Sequence, residues 1–168
     1  SLGVSQIESL KFAGYLHDIG KIGIKDHILL KETRLTAEEY EEIKRHPDIG
    51  ESIIRAMDLS EDERHIVRHH HERWDGGGYP DGLAGEDIPL LARVVAVADA
   101  YDAMTSDRSY RASRGGQEAV AELAACAGSQ FDPSVVEAFA RMLTRHQQEM
   151  ESLAAEPDLT NIHPGDAK

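Results

Sequence analysis

The 168-residue chain contains a single cysteine, so no internal disulfide can form, and it reads as the product of a reduced compartment, the cytoplasm. It has no stretch near the roughly 18 apolar residues that cross a bilayer; runs such as Val94 to Ala98 end at charges. The opening residues Ser1-Leu2-Gly3-Val4-Ser5 have no basic region and no apolar core of a signal peptide, and no initiator Met, which reads as an excised or processed chain. Basic residues are also scarce. Eighteen Lys and Arg against 31 Asp and Glu leave a net charge of −13. That balance excludes a nucleic-acid polymer as partner and any binding to anionic membranes, both of which need a basic surface. A phosphate ligand is still permitted, because a metal or an arginine pair can reverse the field inside one pocket. Alternating apolar and polar runs long enough to build a sheet are missing too; Ile22, Ile24 and Ile28 read as a short extended piece at most.

Helix signals are what remains. Ser5 with Glu8, Thr36 with Glu39 and Ser60 with Glu63 all read as capping boxes. The first opens a helix with Ile7, Leu10, Ala13 and His17 on one face, and the second a helix with Tyr40, Ile43 and His46. Pro47 restarts the chain into Ile49, Ile53, Ile54 and Met57, and the third box leads to Ile66, Val67, His70 and His71. Pro89 to Met104 reads as a long buried helix. Gln117 to Ala127 is a helix stopped by Gly128, and Asp132-Pro133 opens the last one. Asp75 to Asp87, with five glycines, is a loop, and from Glu149 the composition becomes that of a polar, flexible tail. The class is all-α, one domain over residues 1–148 with a tail over 149–168.

Nine histidines stand out, and they are unevenly placed. His17, His46, His70 and His71 fall on apolar helix faces, as does Asp99, four residues after Val95; Asp18 adjoins His17. Burying acids without cations is costly, and neutral imidazoles are poor counter-ions but good metal ligands. Mixed imidazole and carboxylate donors suit Fe, Mn, Ni, Co or Zn better than Mg or Ca, and the absence of thiolates argues against a structural zinc site. Six donors exceed one tetrahedral set, so a pair of ions bridged by Asp18 fits, an arrangement that generates hydroxide and clamps a phosphoester. The plainer alternative is a helical core with satisfied histidines. His65 and His69 share a different stripe and read as bland. Arg108 and Arg111, just past the Asp99 helix, are placed to take phosphate oxygens, or are ordinary surface arginines. Lys21, three residues after Asp18, holds substrate, protonates a leaving oxygen, or pairs with a helix end. Tyr79, in the glycine-rich loop that follows His71, can stack on a base. Trp74 and Cys126 read as structural, and no Ser/His/Asp set or P-loop is present.

His17-Asp18-Ile19-Gly20-Lys21, His46-Pro47, His70-His71-Glu72, Gly78-Tyr79-Pro80, the run Val97 to Ser106, Arg108, Tyr110-Arg111 and Phe131-Asp132-Pro133 together resemble the HD-GYP domain. The likeness extends from Ser5 to Leu143; Gly77 stands where Ser is common and Ser109 where Pro is common. The resemblance implies an all-α bundle of the HD superfamily. It implies a divalent-metal phosphodiesterase that hydrolyses cyclic di-GMP to pGpG and GMP, with Fe or Mn as metal. His17, Asp18, His46, His70, His71 and Asp99 would be ligands with Asp18 bridging, and Lys21 would face the scissile phosphate. Arg108 and Arg111 would hold phosphate, and Asp102 and Tyr79 would lie near a guanine pocket. It also implies a further helix before Ser5 that carries another ligand, and contact between the Gly-Tyr-Pro loop and GGDEF-domain cyclases; a homodimer is left open. Two alternatives stand beside it: a silent module that binds cyclic di-GMP or a cyclase, and an HD phosphohydrolase for another cyclic dinucleotide.

Overall fold

A computed structural model describes residues 2–106 and 115–155. Within them the order is α1 (Val4–Leu16), a 3-10 turn (Ile19–Gly23), α2 (Asp26–Leu29), α3 (Ala37–Ile43), α4 (His46–Ile54) and α5 (Glu61–His69). A second 3-10 turn (Gly85–Asp87), α6 (Leu90–Thr105), α7 (Gly116–Ala125) and α8 (Pro133–Ala155) follow. No strand forms among the described residues, and none of their helices is long and apolar enough to cross a membrane. The all-α expectation therefore holds.

Two of the three capping boxes close as the sequence predicts. Thr36 Oγ1 accepts from Glu39 N–H while Glu39 accepts from Thr36 N–H at 2.7 Å, and Ser60 and Glu63 repeat the exchange. The box at Ser5 does not form. Gln6 Oε1 accepts the Gly3 N–H at 3.0 Å, which starts α1 two residues earlier and leaves Ser5 inside its first turn. Of the Ile22 to Ile28 piece only Ile24 and Lys25 are extended: Asp18 and Lys21 carbonyls close the 3-10 turn before them, and Asp26 opens α2 after them. α8 continues through the polar stretch from Glu149 to Ala155, and residues 156–168 lie outside the described ones.

α6 is the axis of the bundle, apolar nearly all round, and its two faces feed two cores. Val95 and Leu91 pack with Ala13 of α1 and Ile66 of α5. Val97 packs with Leu123 of α7 and Phe131, Val135 and Val136 at the start of α8. Arg93 fixes that second junction by donating to Asp132 at 2.6 Å, and Asp132 also accepts the Ser134 N–H at 2.8 Å, capping α8. The packing brings the end of α1, the start of α4, the end of α5 and the middle of α6 to one place.

Candidate metal centre

Glycine at position 20 permits the first of these approaches. A Cβ there would lie 1.9 Å from the His46 carbonyl oxygen and 2.5 Å from Gly50 N, so only glycine lets the 3-10 turn sit against α4. Asp18, on that turn, thereby reaches His46 at the first position of α4 and His70 at the end of α5.

The donor atoms of Asp18, His46, His70 and His71 lie within 4.8 Å of one another. His46 and His70 are fully buried. Their outer nitrogens are committed to backbone: His46 Nδ1 donates to Ile43 O at 2.8 Å, and His70 Nδ1 to Val67 O at 3.0 Å. A carbonyl only accepts, so each Nδ1 carries a hydrogen, and a ring with that single hydrogen turns a bare Nε2 lone pair inward. The two Nε2 atoms are 3.3 Å apart, and Asp18 Oδ1 is 3.3 Å from one and 3.9 Å from the other. Asp18 Oδ1 is buried without a hydrogen-bond partner. Acceptors thus face acceptors. One proton would bridge a single pair and leave the other lone pairs unmatched, whereas a divalent cation satisfies them together. The donor set fits a metal, and these four residues could hold one.

His17 and Asp99 border the cluster. His17 Nδ1 donates to Gly14 O at 2.7 Å, and its buried Nε2, also without a hydrogen-bond partner, lies 3.5 Å from Asp18 Oδ2 and 3.8 Å from Asp99 Oδ1. Electrostatics sort these groups. Burial, reinforced by the neighbouring His71, His17 and His46, pushes His70 far below the ordinary imidazole range. Burial lowers His71 to about 4. His17 moves up, because Asp99, the Gly14 carbonyl and Asp18 outweigh its burial. Burial also opposes the Asp18 charge, but His46 and the Lys21 ammonium, whose Nζ is 2.5 Å from Oδ2, hold that carboxyl well below its usual range. Asp99 is lowered by His17 despite its own burial.

Of the sequence-predicted substrate residues, Lys21 meets the cluster through Asp18. Asp102 is exposed, accepts from Ser106 Oγ at 3.1 Å, and lines a cleft of about 570 Å3 together with His17, Asp99, Leu10 and Val94. The ring of Tyr79 stacks on His71. Arg108 and Arg111 lie outside the described residues.

Sequence reasoning passed over the apparatus that holds the loop. Glu72, buried directly after His71, accepts backbone N–H groups from Asp81 (2.7 Å), Gly82 (3.1 Å) and Leu83 (3.1 Å). Arg68 grips Asp81 with two bonds of 2.7 and 2.8 Å and reaches Asp48 and Glu51 of α4. His69, read as bland, is buried and lies 3.0 Å from Asp81 Oδ2. The only signal available beforehand was the glutamate in His70-His71-Glu72.

Among known proteins, a family model described as HD domain matches residues 2–135. A cyclic di-GMP phosphodiesterase from Thermotoga maritima is 44% identical over 145 residues, covering 84% of this chain and 39% of that protein. The cyclic di-GMP phosphodiesterase response regulator RpfG of Xanthomonas campestris is 41% identical over 168 residues, covering 98% of this chain and 43% of that protein. The chain thus spans about two fifths of the length of these curated relatives. A solved cyclic GMP-AMP specific phosphodiesterase from Vibrio cholerae superposes with a TM-score of 0.66 at 21% identity, covering 86% of this chain and 40% of that one, a likeness of fold.

Proposed function

The chain belongs to the HD domain family, and from that premise we propose that it is a metal-dependent phosphodiesterase that hydrolyses cyclic di-GMP to pGpG and onward to GMP. One observation carries the reading: the buried Nε2 atoms of His46 and His70, 3.3 Å apart, converge on Asp18 Oδ1, a buried oxygen without a hydrogen-bond partner. The names of the curated relatives support cyclic di-GMP as the substrate.

In this reading His46, His70, His71 and Asp18 would hold the metal, and His17 and Asp99 would complete the ligand set. Fe or Mn fits the nitrogen-rich donors, with Ni, Co or Zn as substitutes. Bound, the metal supplies Lewis-acid activation of water and of the phosphodiester oxygens. The protein's own groups do the rest. Nδ1 contacts to Ile43, Val67 and Gly14 fix three imidazole rings in orientation and tautomer. Lys21 Nζ, at the edge of the cluster, carries the proton that a leaving ribose oxygen needs. Arg108 and Arg111 take the non-bridging phosphate oxygens. The Gly78-Tyr79-Pro80 loop leaves Asp81 and Gly82 exposed on its outer side, which is compatible with a GGDEF-domain partner there.

Incubating the manganese- or iron-loaded chain with cyclic di-GMP and separating the products by chromatography tests the assignment. Accumulation of pGpG or GMP, lost in Asp18→Ala, is the expected result. Tight binding of cyclic di-GMP without any cleavage would overturn it in favour of a silent binding module. Faster cleavage of a cyclic GMP-AMP dinucleotide in competition would reassign the substrate.

A further inference from the structure

Beside the ligand cluster runs a groove of about 700 Å3 that the donor set does not use. Its apolar floor is formed by Ile28, Leu29 and Ile43, and its charged rim by Lys21, Arg34 and Glu32. Lys31 lines it too, but is neutralised by Glu39 at 2.5 and 2.8 Å. That half-buried pair and the Thr36–Glu39 capping box pin both ends of the turn that carries Arg34. Arg34 itself is exposed and makes no ion pair among the described residues. On the cluster side stands Lys21, 2.5 Å from Asp18 Oδ2, its side chain 42% exposed.

This arrangement matters for a substrate with two phosphates. The cluster accommodates one phosphodiester; the other half of a cyclic dinucleotide brings a second negative charge, a ribose and a base. In a chain of net charge −13, Arg34 is the cation on this lining that no ion pair among the described residues neutralises, Lys21 and Lys31 being held by Asp18 and Glu39, and it offers that second charge a partner. Its volume is within the range of small-ligand sites, and its apolar floor suits a sugar or base face. Resting on the phosphodiesterase reading above, we infer that this groove binds the second nucleotide unit of the cyclic dinucleotide, with Arg34 holding the phosphate that is not cleaved. Arg34 is a specificity residue for two-phosphate substrates and does not touch the scissile bond.

The test compares steady-state kinetics of the full metal-loaded chain on cyclic di-GMP and on bis(4-nitrophenyl) phosphate, which carries a single phosphate. Arg34→Ala raises KM for cyclic di-GMP about tenfold, the loss of one charge-assisted phosphate contact, with kcat little altered. Arg34→Glu raises it further, and Arg34→Lys recovers most of the loss. KM for bis(4-nitrophenyl) phosphate moves less than twofold in all three, and Arg55→Ala, at an exposed arginine just past the end of α4, leaves both substrates alone. Wild-type turnover with a KM for cyclic di-GMP indifferent to Arg34 overturns the subsite while the phosphodiesterase reading stands. No turnover of cyclic di-GMP by the wild type overturns both.

Discussion

Tyr79 lies against His71, ring centroids 4.9 Å apart and planes 28° from parallel. The tyrosine that the sequence offers to a nucleobase packs on an imidazole of the donor cluster. His71 in turn meets the rings of His70 at 4.1 Å and His46 at 4.9 Å, so the stack presses on the cluster from outside. Burial pushes the Tyr79 hydroxyl above the usual phenol range, so the ring stays neutral. Tyr79→Ala therefore weakens manganese binding about tenfold in calorimetric titration, as loss of an outer support does. Tyr79→Phe, which keeps the stack, binds as the wild type does.

Glu72 is the anchor of the same loop. Replacing it with alanine strands three backbone N–H groups of residues 81–83 and costs about 3 to 5 kcal/mol in urea unfolding. Gly78 makes the anchor possible, since a Cβ there would lie 2.3 Å from Arg73 N and 2.6 Å from Glu72 Cα. Wild-type stability in Glu72→Ala would show that the loop is held by something else.

Gly20→Ala is expected to cost about 3 kcal/mol and to abolish metal binding, because the new methyl displaces the turn bearing Asp18 from the His46 carbonyl. A variant that retains manganese at wild-type affinity contradicts the packing described.

The metal-free chain should lose stability as pH falls below neutrality. His71 has its folded pKa lowered to about 4 against an ordinary 6.5, and His70 is lowered as well. The unfolded chain then binds more protons, so the stabilisation is complete above about pH 6.5 and drains away toward pH 4, on the order of 3 kcal/mol for His71 alone. His17, with its pKa raised, has the opposite sign: its contribution is present below about pH 6.5 and is lost as pH rises through its folded value. Urea midpoints between pH 7 and 5 in the presence of EDTA measure the balance, and a midpoint that rises on acidification contradicts it.

The histidine faces were legible because helical spacing is a local rule: His70 and His71 follow Ile66 and Val67 by four residues, and both pairs cluster inward. The boxes at Thr36 and Ser60 were legible for the same reason, each closing within four residues. Arg68 was not, since its partners Asp48, Glu51 and Asp81 sit on α4 and in the loop, a meeting decided only by tertiary packing. Nor was the turn at Ile19–Gly23, whose isoleucines suggest extension until Gly20 is pressed onto α4. The polar stretch after Glu149 lacks a buried face, yet it stays helical to Ala155, with Arg145–Glu149 and Gln147–Glu151 pairs of 2.8 and 2.9 Å one turn apart along it.

The central claim, that the Asp18, His46, His70 and His71 cluster is a metal-dependent hydrolytic centre, is tested most directly by following cyclic di-GMP cleavage as manganese or iron is returned to EDTA-stripped chain. Cleavage should be absent in the stripped protein, rise with metal to saturation at one or two equivalents, and remain absent at every metal concentration in Asp18→Ala. Cleavage that survives EDTA, or that Asp18→Ala supports at the wild-type rate, would contradict the account.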